Sequence, residues 1–218
     1  MALIATSAER AQNNIIKAEA TVTEWQAKAA AARAEANDLD ANAGAAILED
    51  ESAAERVTLQ VQSLERKARA YDQAATEAAG RLKTARLAAL ETAAEDETAR
   101  ADKARKQADA HEAKVNAMLA KLEEFDDAEW ERRSYREGTA TVSHVGKAGA
   151  LRDEAFRGDV RTAVIRYFIA NGKTPDSFWE INQQLGTDFP SMGQPLYEYA
   201  GMVPDCVTEA LADGRTFN

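Results

Sequence analysis

From Ile4 to Ala46 the apolar positions recur in alternating steps of four and three residues, through Ile15, Val22, Trp25, Ala32 and Leu39. That is the heptad of a helix packing along one narrow seam. The same spacing returns from Val57 to Ala89, and again at Ala101, Ala104, Ala108, His111, Val115, Met118, Leu122 and Phe125. The steps between stretches are not whole heptads, so the seam is expected to shift round the helix near residues 46–57 and 89–101. Alanine dominates it. An alanine seam lets backbones approach closely but buries little area per residue, so each helix needs a partner.

The first shift coincides with Glu49-Asp50-Glu51-Ser52-Ala53-Ala54-Glu55, where Ser52 followed by Glu55 three residues on reads as a capping box at a new helix start. The pattern therefore predicts an antiparallel hairpin, with helix A over about residues 3–48 and helix B over about 53–127; the alternative is a single unbroken helix through this point with Ser52 and Glu55 simply exposed, since no proline or glycine enforces the turn. At about 1.5 Å per residue these would be roughly 70 and 110 Å long. Helix A cannot reach the end of helix B. The larger seam residues Val115, Met118, Leu122 and Phe125 are accordingly expected to meet another chain or the C-terminal domain.

Beyond residue 130 the pattern changes. Residues 131–146 lose the helical period and gain β-branched residues, which reads as a linker or a short extended segment. Leu151, Ala155, Phe156, Val160, Ala163, Val164, Tyr167 and Phe168 then share one broad helical face. Asn171-Gly172 supplies a stop, and Thr174-Pro175 an N-cap for a helix from Asp176 to Leu185 with Gly186 after it. Pro190 to Asn218 is expected to hold one or two short helices. The reading is all-α: a coiled-coil rod over 1–130, a linker over 131–146 and a small helical docking domain over 147–218.

Composition sharpens the division. Of 48 alanines, 39 lie in the first 130 residues, whereas all four prolines follow residue 174 and ten of fourteen aromatics follow residue 130. The net charge is −10, and the first 130 residues carry 25 acids against 17 bases. Bulk attraction to phosphate is excluded for such a rod, and no nucleic acid is expected as a partner. Arg152, Arg157, Arg161 and Arg166 give slight support to a nucleic-acid-binding regulator as an alternative. No apolar run approaches the ~20 residues that span a bilayer. The chain is expected to be soluble and without a signal peptide, in the cytoplasm or in a virion.

An alanine-rich helix, a short acidic turn and a longer alanine-rich helix over residues 1–127 resemble coiled-coil proteins of bacteriophage virions. They are also similar to the helical hairpins of PspA/Vipp-type membrane-remodelling proteins. The first resemblance implies a structural or assembly role; the second implies contact with a membrane surface. That second family opens on an amphipathic helix with a broad apolar face, whereas residues 1–24 here carry Glu9, Glu19 and Glu24 and a narrow seam.

Candidate chemistry is sparse. One cysteine, Cys206, excludes an intrachain disulfide or a multi-cysteine metal site. It follows Pro204-Asp205 at an expected helix start, which favours a thiolate, but with no histidine nearby in sequence it reads as a structural thiol. Gly172-Lys173-Thr174 has the tail of a phosphate-binding loop, yet the earlier glycine would fall at Tyr167 inside a helix. His111 reads as a seam residue that sets register and His144 as a loop histidine. No catalytic residue, cofactor or metal is expected. The contact-rich residues are Trp130, Arg132, Arg133, Tyr135 and Arg136 at the foot of the rod, Phe178 and Trp179, and Tyr197 and Tyr199, since aromatics and arginine anchor protein interfaces. Together with Val115, Met118, Leu122 and Phe125 they predict a non-enzymatic homo-oligomer within a larger protein assembly.

Overall fold

The computed structural model describes residues 6–126, 134–137, 140–143, 146–190, 196 and 201–212. Among these the order is α1 (Ser7–Glu49), α2 (Ala53–Asp126), β1 (Ser134–Glu137), β2 (Ala140–Ser143), α3 (Gly146–Asn171), α4 (Phe178–Leu185) and α5 (Asp205–Ala212). The class is all-α, with the two long helices packed on each other. The two short strands form one antiparallel ladder, Tyr135 opposite Val142 and Glu137 opposite Ala140, within the segment read as a linker or extended. Contacts divide the chain into two compact units, Met1–Ala89 and Leu90–Asn218, so the division falls inside α2 while the composition changes near residue 131.

In the first unit α1 begins at a reciprocal cap. The Thr6 N–H donates to a Glu9 carboxylate oxygen at 2.7 Å and the Glu9 N–H donates to the Thr6 hydroxyl at 3.2 Å. The expected start near residue 3 lies outside the described residues. Ile15, Ala29, Ala32 and Ala36 of α1 and Leu64, Ala68, Ala75 and Ala78 of α2 are buried, all on the seam. Trp25 and Tyr71 face one another across it with ring centroids 5.7 Å apart. Arg33 pairs with Asp72, and Arg86 with Glu19 at 2.9 Å, on its flanks.

The turn between the helices is built differently from the expected capping box. The Asp50 carboxylate accepts from the Ser52 N–H at 3.0 Å, the Ser52 hydroxyl at 2.7 Å and Arg56 at 2.9 Å. The Ser52 hydroxyl thus donates towards a carboxylate, a stronger partner than the Glu55 backbone it was expected to cap. These donors, the Ser52 hydroxyl first and Arg56 second, hold the Asp50 carboxyl below the usual range.

In the second unit Leu90, Ala94, Ala101, Ala104 and Ala108 are buried. With Glu97 they make one unbroken four-three row, so the seam does not start afresh at Ala101; a carboxylate holds one of its positions. Two surfaces of α3 are covered. On one, Ala155 clusters with Ala101 and Ala104, and Gly158 comes so close that a Cβ there would lie 3.0 Å from the Ala101 Cβ. On the other, Val160, Ala163 and Val164 join Phe178, Ile181, Leu196 and Met202 in the main core. The rings of Phe156, Phe178 and Phe189 meet there, Phe156 and Phe189 edge to face at 5.9 Å. This two-sided packing buries Gly158, Thr162 and Ile165 as well, which a single amphipathic face does not predict.

Gly172 stops α3 as expected, with a positive φ of 68° and its N–H bonded to the Phe168 carbonyl at 2.8 Å. The start of α4 is a correction. Its N-cap is Ser177, whose hydroxyl accepts from the Glu180 N–H, while Glu180 reaches back to the Asp176 N–H at 3.1 Å. Thr174 and Pro175 lie before this cap, and Gly186 closes α4 in the left-handed conformation.

Candidate interaction site

The α2–α3 contact fixes what α2 leaves open. The Thr162 hydroxyl donates to the Gly158 carbonyl at 2.9 Å, with the Ala94 carbonyl at 3.3 Å as its alternative acceptor and the Thr98 hydroxyl at 3.3 Å. Arg105 pairs with Asp159, and Arg152 with Glu112. A groove of about 340 Å³ is lined by Gln107, His111 and Lys114 of α2 and by Lys147 and Leu151 of α3. Since α3 begins at Gly146, its first turns lie level with residues 107–114 of α2. Of the two alternatives for the end of helix B, the C-terminal domain thus meets the seam through Ala108 and the stretch about His111.

Past that level the seam stays in phase but is uncovered. Val115 is half-buried, while Met118 is 65 %, Leu122 42 % and Phe125 84 % exposed. Side-chain size follows cover: alanine where α3 presses closely, methionine, leucine and phenylalanine where it does not. These three side chains form an apolar stripe on one face of a helix.

The other candidate residues divide. Phe178 is buried in the core, so of the expected docking pair only Trp179, 64 % exposed, offers surface. Tyr135 and Arg136 lie in β1 opposite Val142 and Thr141. Trp130, Arg132, Arg133, Tyr197, Tyr199 and His144 lie outside the described residues.

Glu97 was missed from sequence because it breaks an apolar row. Its side chain, 14 % exposed, takes Arg100 at 3.0 Å and Arg161 at 3.6 Å. Arg161 also donates through Nε to the Gly201 carbonyl at 2.6 Å, tying α3 to the segment before α5. The signal was the unbroken phase from Leu90 to Ala108 with one acid inside it. Arg152 and Arg161 are therefore engaged in ion pairs, which weakens a basic recognition face on α3.

The titratable groups are tuned by packing. Burial pushes the Cys206 thiol up, opposed by backbone hydrogen bonds at the start of α5, and nearby Glu209 and Glu97 add to the rise. The thiolate favoured by a helix start does not prevail here. Burial also raises the Tyr167 phenol, which donates to Glu180 at 3.1 Å. Tyr167 lies within α3, and Gly172–Thr174 forms the helix stop beyond it. Among the described residues no group of three or more His, Cys, Asp or Glu side chains is placed to hold a metal ion, and no helix is long and apolar enough to cross a membrane. Comparison of the chain with models of known families, with curated proteins and with solved structures finds no match.

Proposed function

We propose that the chain is a structural assembly protein that self-associates through the end of α2 and docks on a larger partner through its C-terminal unit. The observation that carries this is the uncovered stripe of Met118, Leu122 and Phe125, which continues a seam whose preceding positions are buried in helix packing. The exposed Trp179 is a second, separate anchor for a heterologous contact. The concrete version is a bacteriophage virion component, such as a capsid accessory, scaffold or tail-associated protein; the acidic, alanine-rich hairpin supports it.

Sedimentation of the full chain across micromolar concentrations tests the first half. Self-association that is lost in the Leu122→Ser/Phe125→Ser double variant is the expected result, and a monodisperse monomer at all concentrations rejects it. The virion version predicts that mass spectrometry of assembled particles finds the chain at fixed stoichiometry. Its absence from particles produced in cells that express it rejects that version.

A further inference from the structure

We infer that the stripe on the last turns of α2 is covered by the same stripe of a second copy of this chain, the two helices running parallel and in register. The inference rests on the assembly reading above and gives it a face and a geometry. The buried row Leu90, Ala94, Ala101, Ala104 and Ala108 is helix-on-helix packing, and Val115, Met118, Leu122 and Phe125 continue its phase without a skip. The occupant such a face fits best is another helix with the same heptad phase. Among the described residues the end of α2 offers such an open heptad stripe, so a second copy supplies the complement.

Charge selects the direction. An antiparallel pairing that layers Val115 on Phe125 and Met118 on Leu122 brings Lys121 beside Lys121 of the other copy, because the positions flanking the seam then meet their own kind. A parallel pairing instead sets position 121, just before the seam residue Leu122, against position 126 of the other copy, a lysine opposite an aspartate in the sequence. Each helix carries its own α3 alongside residues up to about 114, so the two helices cross at the stripe and diverge before it. Four seam side chains per copy make a small contact, below the roughly 1,200 Å² of a standard specific interface. Dimerisation is accordingly concentration-dependent.

Thiol cross-linking in the full chain tests this. In a Cys206→Ser background, Leu122→Cys is oxidised with diamide, with Ala120→Cys as an exposed control off the stripe. Parallel pairing places the two introduced thiols of Leu122→Cys at one level, within the few ångströms a disulfide needs. Leu122→Cys should then cross-link at least about tenfold faster than the control, since association raises the local thiol concentration towards millimolar. Cross-linking that is fast only when Met118→Cys and Leu122→Cys chains are mixed means antiparallel pairing and overturns the register. Equal rates for Leu122→Cys and Ala120→Cys, while the unsubstituted chain still sediments as an oligomer, overturn this face and with it self-association through the end of α2, but leave docking through the C-terminal unit standing. A monomeric unsubstituted chain overturns self-association by any face.

Discussion

Gly158 sets how closely α3 can approach α2, and adding one methyl there separates two opposed effects. Glycine inside a helix costs about 1 kcal/mol relative to alanine, so Gly158→Ala gains that much from the backbone alone. The new Cβ, however, would lie 3.0 Å from the Ala101 Cβ and 3.2 Å from the Glu97 carbonyl oxygen. Ordinary carbon contacts need about 3.5–4.0 Å, and neither neighbour is the end of a flexible side chain. The helices must part by roughly 0.5–1 Å, which loosens the Ala155 cluster and draws the Thr162 hydroxyl from the Ala94 carbonyl. Overpacking of this kind costs about 1–3 kcal/mol, so the net expectation is destabilisation by about 0–2 kcal/mol. Gly149→Ala in the same helix is the control, because a Cβ there meets nothing within 4 Å; it should stabilise by up to about 1 kcal/mol. Urea unfolding followed by circular dichroism reads both as midpoint shifts at constant slope. Adding Ala101→Gly should recover packing in the Gly158→Ala chain, less the helix-propensity cost of a second glycine. If Gly158→Ala stabilises as much as Gly149→Ala, the close approach is not what that glycine serves.

Arg161→Met should destabilise by about 1.5–3 kcal/mol, the range for hydrogen bonds to charged groups, since it removes the donor to Gly201 and one of the cations on Glu97. Combining it with Glu97→Leu should recover more than half of the loss in urea midpoint; no recovery means the carboxylate at the seam is not the strained group. The Cys206 thiol, raised by burial, should react with iodoacetamide more slowly than a free cysteine at neutral pH and show its rate inflection above the ordinary thiol range; rapid alkylation near pH 7 refutes this. Asp50 has its carboxyl depressed in the folded chain, so its contribution is present above the unfolded carboxyl pKa and is lost as pH falls through the folded one. Asp50→Asn should therefore show a smaller drop in thermal midpoint between neutral and strongly acidic pH than the parent, and an equal drop in both would count against the turn described here.

Periodicity made the first unit legible. In α1 the buried residues Ile15, Ala29, Ala32 and Ala36 all lie on the seam read from sequence, because a helix covered on one side has only one way to alternate apolar and polar positions. That logic fails for α3. Gly158 and Thr162 are buried against α2 while Val160 and Val164 are buried on the opposite core, and no single-face pattern predicts both. Glu97 was hidden for a related reason: an acid inside an apolar row reads as a break until Arg161 is brought beside it by the fold. At the local level Ser52 with Glu55 and Thr174 with Pro175 both fit capping rules, yet the Ser52 hydroxyl turns to the Asp50 carboxylate and it is Ser177 that caps α4. Several oxygens compete within each turn, and only the backbone geometry decides which one faces the free N–H groups. Of the candidate contact residues, the exposure of Met118, Leu122 and Phe125 fits a second helix that outruns the first, whereas Phe178 and Trp179, adjacent in sequence and about 100° apart round α4, divide between core and surface.

The Asp50 turn has a further consequence for how the hairpin finds its alignment. A row of alanines is nearly periodic, so sliding α1 along α2 by one heptad replaces most contacts with equivalents and leaves many near-degenerate arrangements. Few features break that translational symmetry: Trp25 against Tyr71, Arg33 against Asp72, Arg86 against Glu19, and the short connection itself. With α1 ending at Glu49 and α2 beginning at Ala53, a one-heptad slip would require about 10 Å of extra chain. Asp50 gathers Ser52 and Arg56 and keeps that slack out. The connection thus acts as a ruler, converting a low-information seam into one alignment at a cost of three residues.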